Sequence, residues 1–299
     1  MTDGMVSEVR LPASVENSLY HKKIRVGDQV LRGLIYLAAI IAMAILVGIM
    51  GYVFVRGIPQ VNWEFLSTVQ SARKGTFGIL GNIVNTLYII VLTLIIAVPV
   101  GVGSAIYLNE YAKPGRLVKS IEFTTEILSG IPSIIFGLFG MVIFGTVLKL
   151  GYSVLTGSFT LTLMVLPLIT RNTQEALRTV PDSYRSGALG IGATKWYMIR
   201  TILLPSSAPG ILTGIILSVG RIVGESAALL FTAGSGFLLP RGLFSKLFES
   251  SGTLTIQLYL CMQKAKYDQA FGIAVVLLVI VLGINLLARF VTKKFGTKK

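Results

Sequence analysis

The sequence predicts an all-α, polytopic membrane protein with six transmembrane helices. Of its 299 residues, 53% are hydrophobic and only 13% are charged, about half the charged share of a soluble domain. Uncharged stretches long enough to cross a bilayer, roughly 20 residues as helix, recur along the chain. Lys and Arg gather between those stretches, as they do in loops held on one side of a membrane.

Residues 1–32 are polar and of mixed charge, and read as a cytoplasmic tail. The first span, 33–55, lies between Arg32 and Arg56. It is too long for the apolar core of a signal peptide and reads as a retained helix. The next uncharged stretch, 75–109, exceeds one upright helix. It predicts a tilted or kinked span over about 78–109, with Pro99 near its bend. A third span, 127–148, carries Gly130-Ile131-Pro132 near its start, which predicts a broken helix. Such a break survives in a bilayer only where protein or a water-filled cavity satisfies the backbone. The fourth span is 150–170, between Lys149 and Arg171. The fifth, about 207–234, is interrupted by Arg221 and Glu225, and the sixth is 269–289. Residues 291–299 form a basic tail after a transmembrane domain of 33–290.

Six spans put both termini on one side. That side holds eighteen of the 27 Lys and Arg and the other holds eight, with Arg221 left inside the membrane. The excess makes both termini cytoplasmic. An odd number of spans is the alternative, and the charged fifth span is the one it would remove.

His21 is the only histidine and Cys261 the only cysteine, so histidine triads, zinc clusters and an internal disulfide are excluded. The net charge of +14 needs no nucleic-acid partner, because cytoplasmic loops account for it and lipid is the surrounding partner. No G-x-x-x-x-G-K-[ST] phosphate loop occurs, nor any Gly-Lys dipeptide. If ATP drives this protein, another chain binds it.

Loop 171–206 is the longest polar segment on the cytoplasmic side. Pro181-Asp182-Ser183 reads as a helix start with Ser183 as N-cap, followed by a helix over Tyr184–Leu189. Gly190 and Gly192 turn the chain, Thr194–Ile202 forms a second helix, and Pro205 closes the unit. This is either a knob that seats in a partner's groove or a polar connector.

Arg221 and Glu225 are four apart, so on one helix they share a face and reach each other. Gly214 and Ser218 continue that face, and Gly220 and Gly224 form a small-xxx-small pair beside it. A lone arginine at mid-membrane costs about 2.5–3.5 kcal/mol on insertion scales, so the stripe should face the bundle. Two readings stand. The pair fixes helix register, or it serves an anion path in which the arginine fork meets oxyanion oxygens. Arg171, at the inner end of the fourth span, is an interfacial anchor or a second path residue. Asn82, Asn85 and Thr86 could line a path but are better read as hydrogen-bonding across helices.

The loop resembles the coupling motif of ABC importer permeases, E-A-A-x3-G-x9-I-x-L-P. Here it reads Ser186-Gly187-Ala188, three residues, Gly192, nine residues, Ile202, one residue, Leu204-Pro205. Ser186 and Gly187 replace the motif's glutamate and first alanine. "AIYLNEYAK" (105–113), "LSGIPSIIFGLFG" (128–140), "RNTQEALRTVPDSYR" (171–185) and "GRIVGESAALLFTAG" (220–234) are similar to the PstA-type permease of the phosphate-specific ABC importers, over roughly residues 75–290. The resemblance implies the type I ABC importer permease fold in a bacterial or archaeal cell membrane. It implies a PstC-type partner permease, two ATP-binding subunits that use ATP and Mg, and an extracytoplasmic phosphate-binding protein. It places Arg221, Glu225 and Arg171 on the phosphate path. The motif residues Ser186, Gly187, Ala188, Gly192, Ile202, Leu204 and Pro205 would then face the ATPase. The alternatives are the PstC-type subunit itself, a permease for another oxyanion, and an ion-coupled carrier. No internal repeat of the carrier kind is evident. A bare membrane scaffold would not need Arg221 and Glu225.

Overall fold

The computed structural model describes residues 26–71, 75–113, 115–239, 242 and 244–296. The predicted tail up to residue 25, with His21, lies outside the described residues, as do Arg73, Lys74, Arg241, Lys298 and Lys299. The chain divides into two units, 1–52 and 53–299. The described part of the first is a stretch of helix α1 (Val26–Gly57), the first predicted span extended at its N-terminal end.

After the end of α1 and a 3-10 turn over Ile58–Gln60 comes the short helix α2 (Trp63–Ser67), whose N-terminus Asn62 caps by accepting from the Phe65 N–H at 2.8 Å. Strands β1 (Val69–Ser71) and β2 (Thr76–Ile79) follow as an antiparallel pair with Val69 opposite Ile79. This short hairpin is a small addition to an otherwise helical chain and occupies the predicted start of the second span. Helix α3 (Leu80–Ile106) runs through Pro99 unbroken and ends in a π-helical turn, Tyr107–Tyr111.

The predicted break at Gly130-Ile131-Pro132 is present. Helices α4 (Arg116–Gly130) and α5 (Ser133–Gly140, continued as a π-turn over Met141–Val147) meet at 104°. Ile131 is extended, with ψ 132°, as the residue before a proline prefers. Helix α4 begins well before the predicted span and carries Glu122 and Glu126, both exposed.

Helix α6 (Val154–Arg178) overruns its predicted end by two turns, so Arg171 lies within it rather than at its tip. Then come α7 (Asp182–Gly190), α8 (Lys195–Met198), a π-turn over Ile199–Leu203, and α9 (Leu204–Gly224). Pro205 does not close this unit, because the helix continues through it from Lys195 to Gly224. The wider π-turn just upstream eases the loss of the proline N–H from the i→i−4 ladder. Past Gly224 the chain breaks and restarts as α10 (Ala227–Thr232). The last elements are α11 (Leu254–Gln263), which the span reading did not anticipate, and α12 (Tyr267–Gly296). Among the described residues, five helices are long and apolar enough to cross a membrane, and the bent α4–α5 pair makes a sixth crossing if it is one span.

Helix α6 is the centre of the bundle. Its Leu161, Met164, Val165 and Ile169 are buried with Ile89 and Ala97 of α3, Phe136 of α5, and Val219 and Ile222 of α9. Small residues set the helix spacing. A Cβ on Gly101 would come within 2.7 Å of Ile169, and one on Gly214 within 2.6 Å of Asn172. The close approach of α9 to α6 therefore uses Gly210 and Gly214. The predicted pair Gly220 and Gly224 has open space beside it instead.

Asn82, Asn85 and Thr86 hold a loop rather than line a path. The Asn82 and Asn85 amides donate to the Gly252 carbonyl at 2.9 and 3.3 Å, and Thr86 Oγ1 accepts from the Leu254 N–H at 3.0 Å. In the same loop, buried Lys246 donates to the Leu238 carbonyl at 2.8 Å and sits 3.5 Å from Glu249. Burial lowers the Lys246 pKa, with the Glu249 carboxylate opposing it.

Candidate functional site

The helix–turn–helix is built on its own small core. Leu177 and Val180 pack with Ala188 of α7 and with Met198, Ile199 and Leu203, and Ile202 and Leu204 pack against that cluster. Helix α7 starts at Asp182 with Pro181 before it, and no side chain caps it, so Ser183 is not the predicted N-cap. Thr194 does cap the second helix, accepting from the Tyr197 N–H at 3.3 Å. Gly192 turns the chain at φ +83°, a conformation costly for residues with a Cβ. The apolar tip projects outward: Ile191 is 87% exposed, and Leu189, Trp196 and Tyr197 are exposed beside it. Ser186 and Gly187 are on the exposed face of α7, and Ala188 faces the core.

One side chain ties this knob to the bundle. Arg185 donates through Nε and Nη2 to Glu110 Oε1 at 3.2 and 3.1 Å. It also donates to the carbonyls of Leu177 and Val180 at 2.9 Å each, and to Asp182 at 3.0 Å. The side chains of Arg185 and Glu110 are only 18% and 5% exposed. Next to Glu110, the ring of Tyr111 lies 4.9 Å beneath the Lys195 ammonium. The π-turn ending α3 thus grips both helices of the knob. Sequence reading did not single out either Arg185 or Glu110.

Arg221 and Glu225 do not pair. Glu225 has left the helix, with ψ 125°, so the four-residue spacing no longer stacks the two side chains. The Glu225 carboxylate turns forward and accepts from the Ala228 N–H at 3.0 Å, while its carbonyl accepts from Thr255 Oγ1 at 2.8 Å. A carboxylate there satisfies a free donor at the start of α10. The break after Arg221 is therefore built in. Arg221 makes no hydrogen bond or ion pair with any described residue.

Arg221 instead lines a cavity of about 480 Å³ between α4, α6 and α9. The wall from α6 runs from Met164 through Arg171 and Gln174 to Arg178. The fourteen helical steps from Met164 to Arg178 make the cavity roughly 20 Å long, from mid-bundle to the knob end. Arg171 and Arg178 share it with Arg221, and Glu122, Glu126 and Glu175 face them. Two ion pairs are already formed: Arg178–Glu122 at 3.4 Å between helices, and Arg171–Glu175 at 3.6 Å along α6. The structure thus brings Arg171 and Arg221 to one cavity and leaves Glu225 outside it. Arg178, Glu122, Glu126 and Gln174 went unread because neither spacing nor a local motif links α4 to α6.

The chain matches the family model of binding-protein-dependent transport system inner membrane components over residues 97–298. It is 34% identical over 281 residues to the probable ABC transporter permease protein YqgI of Bacillus subtilis, covering 89% of this chain and 95% of that protein. It is 33% identical over 221 residues to the phosphate transport system permease protein PstA of Pasteurella multocida, covering 73% and 78%. In fold it is similar to a chain of a bacterial alginate ABC transporter solved with its alginate-bound periplasmic protein. The TM-score is 0.64 at 18% identity, over 90% of this chain and 99% of that one. The chain therefore belongs to the binding-protein-dependent transport system inner membrane components, the permease subunits of ABC importers.

Proposed function

We propose that this chain is the PstA-type permease of an ATP-driven phosphate importer. The observation that carries the reading is the long cavity with arginines at three levels and a guanidinium without a partner among the described residues, Arg221, at its mid-bundle end. Arginine stays charged at physiological pH, and its fork matches the oxygens of a tetrahedral oxyanion. The two ion pairs in the wall keep the cavity near neutrality, so an anion binds and leaves again. Glu225 acts on this path as a positioning residue, by fixing the break that frees Arg221. Similarity to PstA of Pasteurella multocida supports phosphate as the cargo.

A PstC-type permease would complete the path, and an extracytoplasmic phosphate-binding protein would deliver the ion. Two ATPase subunits would hold ATP and Mg and receive the exposed tip of the knob. Ser186, Gly187 and Gly192 would lie at that contact, and Ala188, Ile202, Leu204 and Pro205 would shape it from behind. Both termini would then share the cytoplasmic side with the knob.

The testing experiment is radiolabelled phosphate uptake into vesicles holding the complete complex. ATP-dependent uptake that disappears when the binding protein, the partner permease or ATP is withheld is expected. Uptake by this chain alone, or competition by sulfate equal to that by phosphate, would contradict the proposal.

The knob gives a second expectation. Gly192→Val strains the φ +83° turn while nothing crowds the site, so membrane insertion should stay intact. ATP hydrolysis should no longer track phosphate uptake, or the ATPase should be lost on purification. Normal coupling with normal ATPase retention would show that the turn does not dock there.

A further inference from the structure

The cavity poses a question that its arginines do not answer: why an anion path carries an unpaired carboxylate and a buried amide. Glu126 lines the cavity as an exposed side chain and makes no ion pair or side-chain hydrogen bond with a described residue. Gln174 is only 8% exposed, lines the same cavity, and its Nε2 is buried with no acceptor. Leaving such a donor unpaired costs about 1–3 kcal/mol. A purely structural site would hold a leucine.

Their levels can be placed. Glu122 of α4 meets Arg178 of α6 at 3.4 Å. Glu126 is one turn further along α4, and Gln174 is one turn back along α6. Both steps lead from the Arg178 end toward Arg221. Glu126 and Gln174 thus line the cavity between the levels of Arg221 and Arg178.

From this we infer that Glu126 and Gln174 form a proton-sensing pair on the cavity wall, selective for a tetrahedral oxyanion that keeps an O–H group. An ionised carboxylate only accepts hydrogen bonds. It accepts from the P–OH of hydrogen phosphate or the As–OH of hydrogen arsenate. Sulfate has no proton to offer at neutral pH, so its oxygens meet the carboxylate with repulsion alone. A phosphodiester, such as a lipid headgroup, likewise lacks the proton. The Gln174 amide supplies the neutral counterpart. A half-turn about its terminal torsion, which is broad and two-fold, brings the unpaired NH2 to an anionic oxygen. The inference rests on the phosphate-path reading above and adds a selectivity step inside the permease, separate from any made by the binding protein.

The test uses the complete complex in vesicles, with competing anions added on the face that carries the ATPase. There the binding protein cannot pre-select them. In the wild type, arsenate should inhibit phosphate uptake, and sulfate and dimethyl phosphate should not. Glu126→Gln offers a donor where only an acceptor stood, so sulfate should now inhibit as strongly as arsenate. Glu126→Asp keeps the acceptor and should keep sulfate excluded. Gln174→Leu removes a buried unsatisfied amide, so the complex should melt at the same or a higher temperature. Its uptake should nevertheless fall about tenfold, the worth of one hydrogen bond of about 1.4 kcal/mol. Sulfate still excluded in Glu126→Gln, or wild-type uptake in Gln174→Leu, would overturn the inference. So would a wild type that arsenate fails to inhibit, or one that dimethyl phosphate inhibits. Wild-type uptake by Arg221→Gln would instead overturn the path reading beneath it.

Discussion

Arg185→Met is expected to unseat the knob and abolish transport. Arg185 makes five hydrogen bonds to four acceptor groups: the Glu110 carboxylate, two backbone carbonyls and Asp182. Its removal leaves the Glu110 side chain, 5% exposed, with only the Asn109 amide at 2.7 Å. Taking one partner from a buried ion pair costs about 3–5 kcal/mol, more than the small knob core can readily absorb. ATPase retention on the purified complex should drop together with phosphate uptake. Arg185→Lys should rescue little, since a point charge cannot serve acceptors spread around a planar fork. Adding Glu110→Gln to Arg185→Met removes the stranded charge and should recover part of the retention. Normal retention in Arg185→Met would mean that the knob is held by its apolar core alone.

The sequence made the spans legible wherever an apolar run was long and its ends were charged. It also announced the α4–α5 break, because a residue before proline cannot stay helical at no cost, and the Gly192 turn. Charged residues do not end α4 and α6. Arg171 to Arg178 and Arg116 to Glu126 are polar but helix-competent, so α6 and α4 run on through them. No pattern along the chain marks Glu122, Glu126 and Gln174 as site residues, although antiparallel packing of α9 on α6 and the return of α4 make them part of the cavity wall. The break at Glu225 was also hidden. No proline marks it, and the capping bond to Ala228 and the Thr255 contact are made only in the folded chain.

Arg221 is expected to affect transport without affecting assembly. An architectural ion pair would lose stability when either member is removed. The structure shows no such pair, so Arg221→Gln should insert, assemble and retain the ATPase as the wild type does. Transport should fall by about 10- to 100-fold, the worth of one charge-assisted hydrogen bond of about 1.5–3 kcal/mol. Arg221→Lys should also be impaired, because the fork is gone. Glu225→Gln keeps an acceptor for the Ala228 N–H and should stay close to wild type, whereas Glu225→Ala should not. The most direct measurement is phosphate uptake per assembled complex, read beside ATPase retention, for Arg221→Gln against wild type. Full retention with uptake reduced at least tenfold is the predicted result, and wild-type uptake, or uptake lost only in proportion to lost complex, would contradict the anion path.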